Sequence, residues 1–256
     1  MLRKISFSFM FLVMVISSAW AVQNPVDMLN KTIVSTQDKL MKNASKYQKD
    51  PYKLLALVDK KIIPVVSPSV LAQLIVGPKK WNDAGQEQIK QIKAKVIKQL
   101  GEDATKKTID KEVDSRVAII KKQEHKKFIK SATEMLTFMY AKNVASAGKY
   151  KLTLFPFDSE NTSWKKKNIV VVNGKITNTD NNQSSDFAVK MFKKDDQWHI
   201  YDFDVAGVSI LRTYQEQFQS FKTVAEMIVA SEKVTLKIKT KYYPKMLNKD
   251  YQLKNV

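Results

Sequence analysis

The chain of 256 residues contains no cysteine and only two histidines. Without cysteine there is no disulfide bracing, and no thiol can serve as nucleophile or metal ligand. Long hydrophobic runs are scarce too: past residue 21, no stretch is long and apolar enough to cross a bilayer. Acidic residues are outnumbered, 25 against 44 basic ones, for a net charge of +19. Such an imbalance suits a polyanionic partner. In a cytoplasm that partner is nucleic acid; outside an inner membrane it is phospholipid head groups or lipopolysaccharide. A merely solvated lysine-rich surface is the alternative.

The compartment follows from the N-terminus, MLRKISFSFMFLVMVISSAWA. Arg3 and Lys4 precede an apolar run from Ile5 to Ile16, and Ala19 and Ala21 offer the small residues a signal peptidase reads. Residues 1–21 therefore read as a secretory signal cleaved after Ala21, with an uncleaved anchor as the alternative. No cysteine follows, so a lipoprotein anchor is not indicated. The exported chain begins at Val22 and carries 42 basic and 25 acidic residues, +17. About 235 residues suffice for one domain with a full core.

Val26, Leu29, Ile33 and Leu40 recur at helical spacing. DPYKLLALVDKKIIP opens a second helix, with Asp50 as cap, Pro51 at the first position and Pro64 as the stop. SPSVLAQLIVGP repeats the device with Ser67, Pro68, Gly77 and Pro78. Both are apolar on more than one face and are expected to be well buried. Residues 86–124 differ: Ile89, Ile92, Val96 and Leu100, then Ile109, Val113, Val117 and Ile120, form stripes separated by lysines. This predicts a helical hairpin whose stripes meet, or a surface that pairs with a partner helix. A further buried helix, FIKSATEMLTFMYAKNVASAG, is expected to end at Gly148. His125, in KKQEHKKF, reads as a solvated helix residue.

Beyond Gly148 the apolar period changes to two. KYKLTLFPF, NIVVVNGKITNT, DFAVKMFKK and QWHIYDFDV predict about four strands, the last three antiparallel. Asn173-Gly174 is either a hairpin or, in the favoured reading, a bulge within one strand. Helices, then a strand meander, then helix define an α+β protein.

WHIYDFDVAGVSILRTYQEQF, residues 198–218, gathers a histidine, two aspartates, a serine and an arginine. Strict alternation puts His199, Tyr201, Phe203 and Val205 on one face and Trp198, Ile200, Asp202 and Asp204 on the other. By that reading no Ser-His-Asp relay forms, because His199 and the aspartates diverge. Ser209 lacks a nucleophile elbow and reads as a helix cap. Gly207 ends the strand, and Leu211, Tyr214, Phe218 and Phe221 make a stripe on the next helix. Tyr150, Leu152, Leu154, Phe187, Val189, Met191, Tyr201 and Phe203 are expected on one sheet face, either as a close-packed core or as the wall of a cavity.

In this order the motifs resemble the MlaC-like periplasmic phospholipid-binding proteins of the Mla (toluene-tolerance) system. The matching pieces are the export signal; Asn24, Pro25 and Leu29; YKLLALVDKKIIP; VLAQLIVGPKKWNDA; TEMLTFMYA; and YKLTLFPF. The most specific is W-x-x-Y-D…G-V-S, through Trp198, Tyr201, Asp202, Gly207, Val208 and Ser209. The lysine-rich segment 86–124 is longer than the family's usual connection, a departure that bears on the partner surfaces.

The resemblance implies an NTF2-like fold with helices on the sheet, relative to which the helical hairpin at 86–124 is an insertion. It implies one lipid-binding domain over residues 22–243, followed by a polar tail at 244–256. It implies a monomeric, non-enzymatic, cofactor-free and metal-free periplasmic shuttle. Such a shuttle moves phospholipid between an outer-membrane lipoprotein–porin complex and an inner-membrane ABC transporter with a substrate-binding-domain subunit. That transport maintains outer-membrane lipid asymmetry.

The lipid-contacting residues expected on that basis are Leu71, Ile75, Met135, Met139, Leu152, Leu154, Val189, Met191, Tyr201, Phe203, Val208 and Leu211. The flexible methionines suit a cavity of changing contents. The rival reading is a periplasmic NTF2-like hydrolase or isomerase, which needs an aspartate turned inward. A basic surface adhesin or nucleic-acid binder would need aromatics interleaved with basic residues on an exposed face, whereas most aromatics here lie in apolar periodicity.

Overall fold

Most of the punctuation read from the sequence holds, although the Ser67 side chain makes no hydrogen bond as the expected cap of the third helix. A computed structural model describes residues 23–101, 104–157 and 166–247. The expected signal segment, residues 1–21, and residues 248–256 of the expected tail lie outside that range.

Helix α1 (Pro25–Lys49) is capped by the Asn24 side chain, which accepts from Val26 N–H at 2.9 Å, and it kinks at Asn43. Helix α2 (Pro51–Lys61) starts on Asp50 and Pro51 as expected; the Asp50 carboxylate accepts from Tyr52 N–H at 3.2 Å. Pro64 falls in a 3-10 turn, Ile63–Val65. Helix α3 (Pro68–Val76) ends at Gly77, whose φ of +86° is a conformation glycine adopts without penalty. A short α4 (Pro78–Asn82) follows. Burial of α2 and α3 is less complete than their composition suggests. Leu54, Leu57, Ala72 and Val76 are buried, but Val58, Val70, Leu71 and Ile75 are only half-buried and Leu74 is exposed.

Helices α5 (Ile89–Leu100) and α6 (Lys106–Tyr140) form the hairpin. Ile92, Val96 and Val113 are buried between them, joined by Ile89, Ile109, Val117 and Ile120. Leu100 is instead exposed. The helix expected separately over TEMLTFMYA is not separate, because α6 runs through it for 35 residues. Composition shifts from lysine-rich to apolar near Phe128, but the helical period does not break, so neither does the helix. A 3-10 stretch (Ala141–Lys149) then leads to the sheet.

The sheet is antiparallel in the order β1 (Tyr150–Leu154), β2 (Ile169–Asn178), β3 (Ser184–Lys194), β4 (Gln197–Val205), β5 (Val208–Ser209). The short fifth strand is one more than expected. Asn173-Gly174 is neither turn nor bulge: β2 pairs with β3 in unbroken register from Ile169↔Phe192 to Thr177↔Ser184. Glycine is needed there for closeness. A Cβ at Gly174 would stand 2.5 Å from the Thr153 carbonyl oxygen and 2.6 Å from Phe187 Cζ.

Turns of two residues close the last hairpins. Asp195 and Asp196 (φ +51° and +56°) join β3 to β4, and Ala206 and Gly207 (+51° and +82°) join β4 to β5. Positive φ at both central positions is the type I′ pattern that matches strand twist. Helices α7 (Ile210–Phe218) and α8 (Val224–Tyr242) complete the described chain.

The apolar interior falls into separate clusters. On the helical side Ala72, Val76, Trp81, Phe128, Met135, Tyr214, Phe218, Val224, Met227 and Ile228 pack together. Trp81–Phe128 and Phe128–Phe218 meet edge to face, with centroids at 6.5 and 5.6 Å. His125 belongs to this assembly and is not merely solvated. Its ring stacks on Trp81 at 3.6 Å, and its Nε2 lies 2.9 Å from the Trp81 carbonyl oxygen. On the sheet side Leu154, Val170, Val172, Phe187, Val189, Met191 and Trp198 pack under Val26 and Leu29 of α1.

Candidate functional site

One irregularity decides how the β4–α7 corner is built. The β3–β4 register runs Lys190↔Asp202 and then Met191↔Ile200, so Tyr201 is the extra residue of a β-bulge. Strict alternation therefore fails across Tyr201. Trp198 and Ile200 join Phe203 and Val205 on the sheet-side core. Tyr201 lies on the outer face with Phe192, ring centroids 6.2 Å apart. It is removed from the expected inner face. His199, opposite Phe192, shares the outer face with Asp202, opposite Lys190, and Asp204, opposite Ala188. The expected divergence of His199 from the aspartates is overturned.

A relay still does not form, for another reason. The Ser209 hydroxyl donates straight to the Asp202 carboxylate, at 2.8 and 3.0 Å to its two oxygens, with no imidazole between them. Asp202 also accepts from Lys190 Nζ at 2.8 Å and Leu211 N–H at 3.0 Å. Ser209 Oγ in turn accepts from Arg212 N–H at 3.0 Å, the helix cap read from the sequence. Burial alone would raise the Asp202 pKa, but the Lys190 ammonium, the Leu211 amide and the Ser209 hydroxyl together hold it below the ordinary aspartate value. Burial pushes the His199 pKa down, and Lys194 acts the same way. Asp202 and Ser209 thus act as a brace between β4 and α7, in which His199 takes no part; its buried Nδ1 has no hydrogen-bond partner among the described residues. Among the described residues, no three of His, Asp and Glu are grouped to hold a metal ion.

A second braced polar group lies in the helical layer. Lys239 of α8, 6% exposed, donates to Glu134 Oε1 and to the Tyr52 hydroxyl, both at 2.7 Å, and lies 4.9 Å from the Phe138 ring centroid. It ties α2, α6 and α8 together. Nothing in KVTLKIKTK marked this lysine, since its partners are 105 and 187 residues away.

What remains is a seam between the two layers. Helices α6 and α8 pack chiefly on each other, while the sheet meets α3, α7 and the turn after α2 along β4. Val66 bridges to Ile200 beside β4. Val58, Val66, Val70, Leu71 and Leu211 are half-buried and belong to none of the apolar clusters. Leu152, Ile176, Ile200, Phe203 and Val205 are half-buried along the rim of the sheet-side cluster.

The expected site residues are distributed unevenly around this seam. Leu71 and Leu211 are half-buried outside the clusters, Leu152 and Phe203 are half-buried against the sheet-side cluster, and Ile75 packs against the helical cluster. Met135, Leu154, Val189 and Met191 are enclosed, at 5, 9, 3 and 0% exposure. Met139 and Val208 are exposed. Sequence reasoning missed Ile200, which alternation had placed outside. It also passed over Val66, whose only signal was its place in an apolar run after Pro64.

The fold and seam define a class: an α+β protein whose sheet and helical layers keep separate cores. Residues 115–223 match the model of the MlaC protein family, from within α6 to the start of α8. The resemblance read from the motifs is therefore shown, and the chain is MlaC-like through its sheet and β4–α7 corner. The α5 arm of the hairpin lies outside the match. A solved structure of a phospholipid-binding protein from Ralstonia solanacearum, in complex with a phospholipid, shares the fold. It has a TM-score of 0.59 at 15% identity, covering 83% of this chain and 97% of that one. No curated protein matches the chain.

Proposed function

We propose that this protein is a periplasmic phospholipid carrier, with acyl chains lodged in the seam between sheet and helices. The observation that carries the reading is the division of the interior. A domain of this size ordinarily forms one contiguous core. Here the sheet-side and helix-side clusters are separate, and Val58, Val66, Val70, Leu71 and Leu211 stay half-buried outside both. Leu71, Leu152, Phe203 and Leu211 are the residues we assign to the chains, with Ile200 and Val66 added. The family match and the likeness to a phospholipid-bound structure support the same reading.

The energetics favour a container over a reactive site. Each methylene withdrawn from water is worth about 0.8 kcal/mol, so two long acyl chains represent on the order of 20 kcal/mol. A carrier must match most of that with apolar wall and leave the head group wet. It needs no nucleophile, and the corner that looked most like one is engaged in bracing. In this reading the signal segment delivers the chain to the periplasm. There it exchanges lipid with an outer-membrane lipoprotein–porin complex and an inner-membrane ABC transporter bearing a substrate-binding-domain subunit.

Native mass spectrometry of protein purified from its exporting host tests the reading, with phospholipid expected at near-stoichiometric occupancy. Leu71→Trp fills the seam and is expected to empty it while the delipidated fold survives. Val189→Trp instead overpacks the sheet-side cluster and is expected to cost about 1–3 kcal/mol. A wild type that never carries lipid refutes the carrier; a folded Leu71→Trp with full occupancy moves the chains elsewhere.

A further inference from the structure

The hairpin's outer side is not explained by lipid carriage. Helix α5 bears Lys90, Lys93, Lys95 and Lys98 and no acidic residue at all. On an exposed helix, glutamates one turn from lysines would be the ordinary arrangement. Among the described residues none of these four lysines pairs with a carboxylate, nor do Lys106, Lys107 and Lys111 at the start of α6. Their charge is left for something outside the molecule.

Two apolar side chains accompany them. Ile97 and Leu100, in the last turn of α5 before Gly101, are 39 and 42% exposed. The stripe that could have seated a partner helix is already spent, since Ile89, Ile92 and Val96 face Ile109, Val113 and Val117. That cluster is separate from the other three, so the hairpin is a self-contained finger roughly 18 Å long along α5. Unpaired cations spread around a helix, with a small apolar end and no groove, suit a flat anionic surface better than a shaped protein partner.

We propose that the lysine-bearing outer side and tip of the α5–α6 hairpin dock the protein on an anionic phospholipid membrane. Charge draws the finger to the head groups, and Ile97 and Leu100 enter the interface. The proposal does not rest on the seam holding lipid. A carrier reading that failed would leave it standing, and the reverse is also true.

The absence of cysteine makes the test clean. A single Lys98→Cys or Lys46→Cys in the purified protein takes an environment-sensitive fluorophore at one known place. The label at 98 should shift blue with phosphatidylcholine vesicles containing phosphatidylglycerol and not with phosphatidylcholine alone. The shift should fade as salt rises from about 0.1 M to about 0.5 M. Replacing Lys90, Lys93 and Lys95 with Gln should weaken vesicle binding by about tenfold or more. The control exchanges Lys42, Lys46 and Lys49 at the α1–α2 elbow, another concentration of lysines, and should stay within about twofold. A shift at 46 in place of 98, equal losses from the two triple variants, or no preference for anionic vesicles would overturn the proposal.

Discussion

In the helical layer, bulky rings hold the elements together at a few points: Trp81 and Phe218 both meet Phe128 edge to face, and Lys239 is anchored to Glu134. In the sheet layer, aliphatic side chains of alternate strand residues spread the same task over Val170, Val172, Val189 and Met191. The described chain joins β4 to α7 through one conspicuous polar brace, Asp202, rather than through shared core. The contrast teaches how a seam is kept. Each layer has its own buried cluster, and layers that are stable independently would tolerate a guest of varying volume between them.

The comparison breaks if the layers are energetically one body. Phe128→Ala removes a ring that is 1% exposed at the centre of the helical cluster, and a cost of about 3–5 kcal/mol is expected. Amide hydrogen exchange on this variant should lose protection first in α3, α6, α7 and α8, with β2, β3 and β4 retaining theirs. Uniform loss across both layers would show a single cooperative core and remove the basis for the seam.

Asp202 sharpens the same contrast. Its side chain is 3% exposed and that of Lys190 33%, so Asp202→Asn leaves an unmatched cation at the edge of the brace. A cost of about 2–3 kcal/mol is expected, measured by denaturant unfolding near neutral pH. The folded pKa lies below the ordinary value of 3.8. The contribution is therefore fully present above that value and is lost as pH falls through the lower folded one. Wild type and variant should converge in stability in that acid window. A constant difference across it would mean that the carboxylate's charge does not matter to the corner.

Much of this organisation is legible in the sequence wherever a residue's own chemistry decides the backbone. Asp50-Pro51 opened α2 and Gly77 closed α3 because capping and positive φ are local matters. The continuity of α6 was hidden by a change of composition without a change of period. The bulge at Tyr201 could not be read, because a bulge is a property of pairing with β3 and not of β4 alone. That one residue reversed the faces of Trp198, Ile200, His199 and Tyr201, and so misassigned part of the site. The aliphatic identity of Ile200, beside the inward Trp198, was the available warning. Lys239 stayed invisible because burial and its partners are set by tertiary packing.

The smallest expected effect concerns the turn that carries this corner. Ala206 has φ of +51°, a region costly for a residue with a Cβ, while Gly207 beside it is at ease at +82°. Its amide is not free to relax outward, since it donates to the Asp186 carbonyl at 2.9 Å. Ala206→Gly relieves the strain but adds freedom to the unfolded chain, so a net gain of no more than about 1 kcal/mol is expected. Asn, which tolerates positive φ without glycine's entropy, should do at least as well. Thermal midpoints of the two variants measure this directly. If both lie below wild type, the Ala206 conformation is favoured by its surroundings, and the β4–α7 corner is more deeply tied to the sheet than the independence of the layers allows.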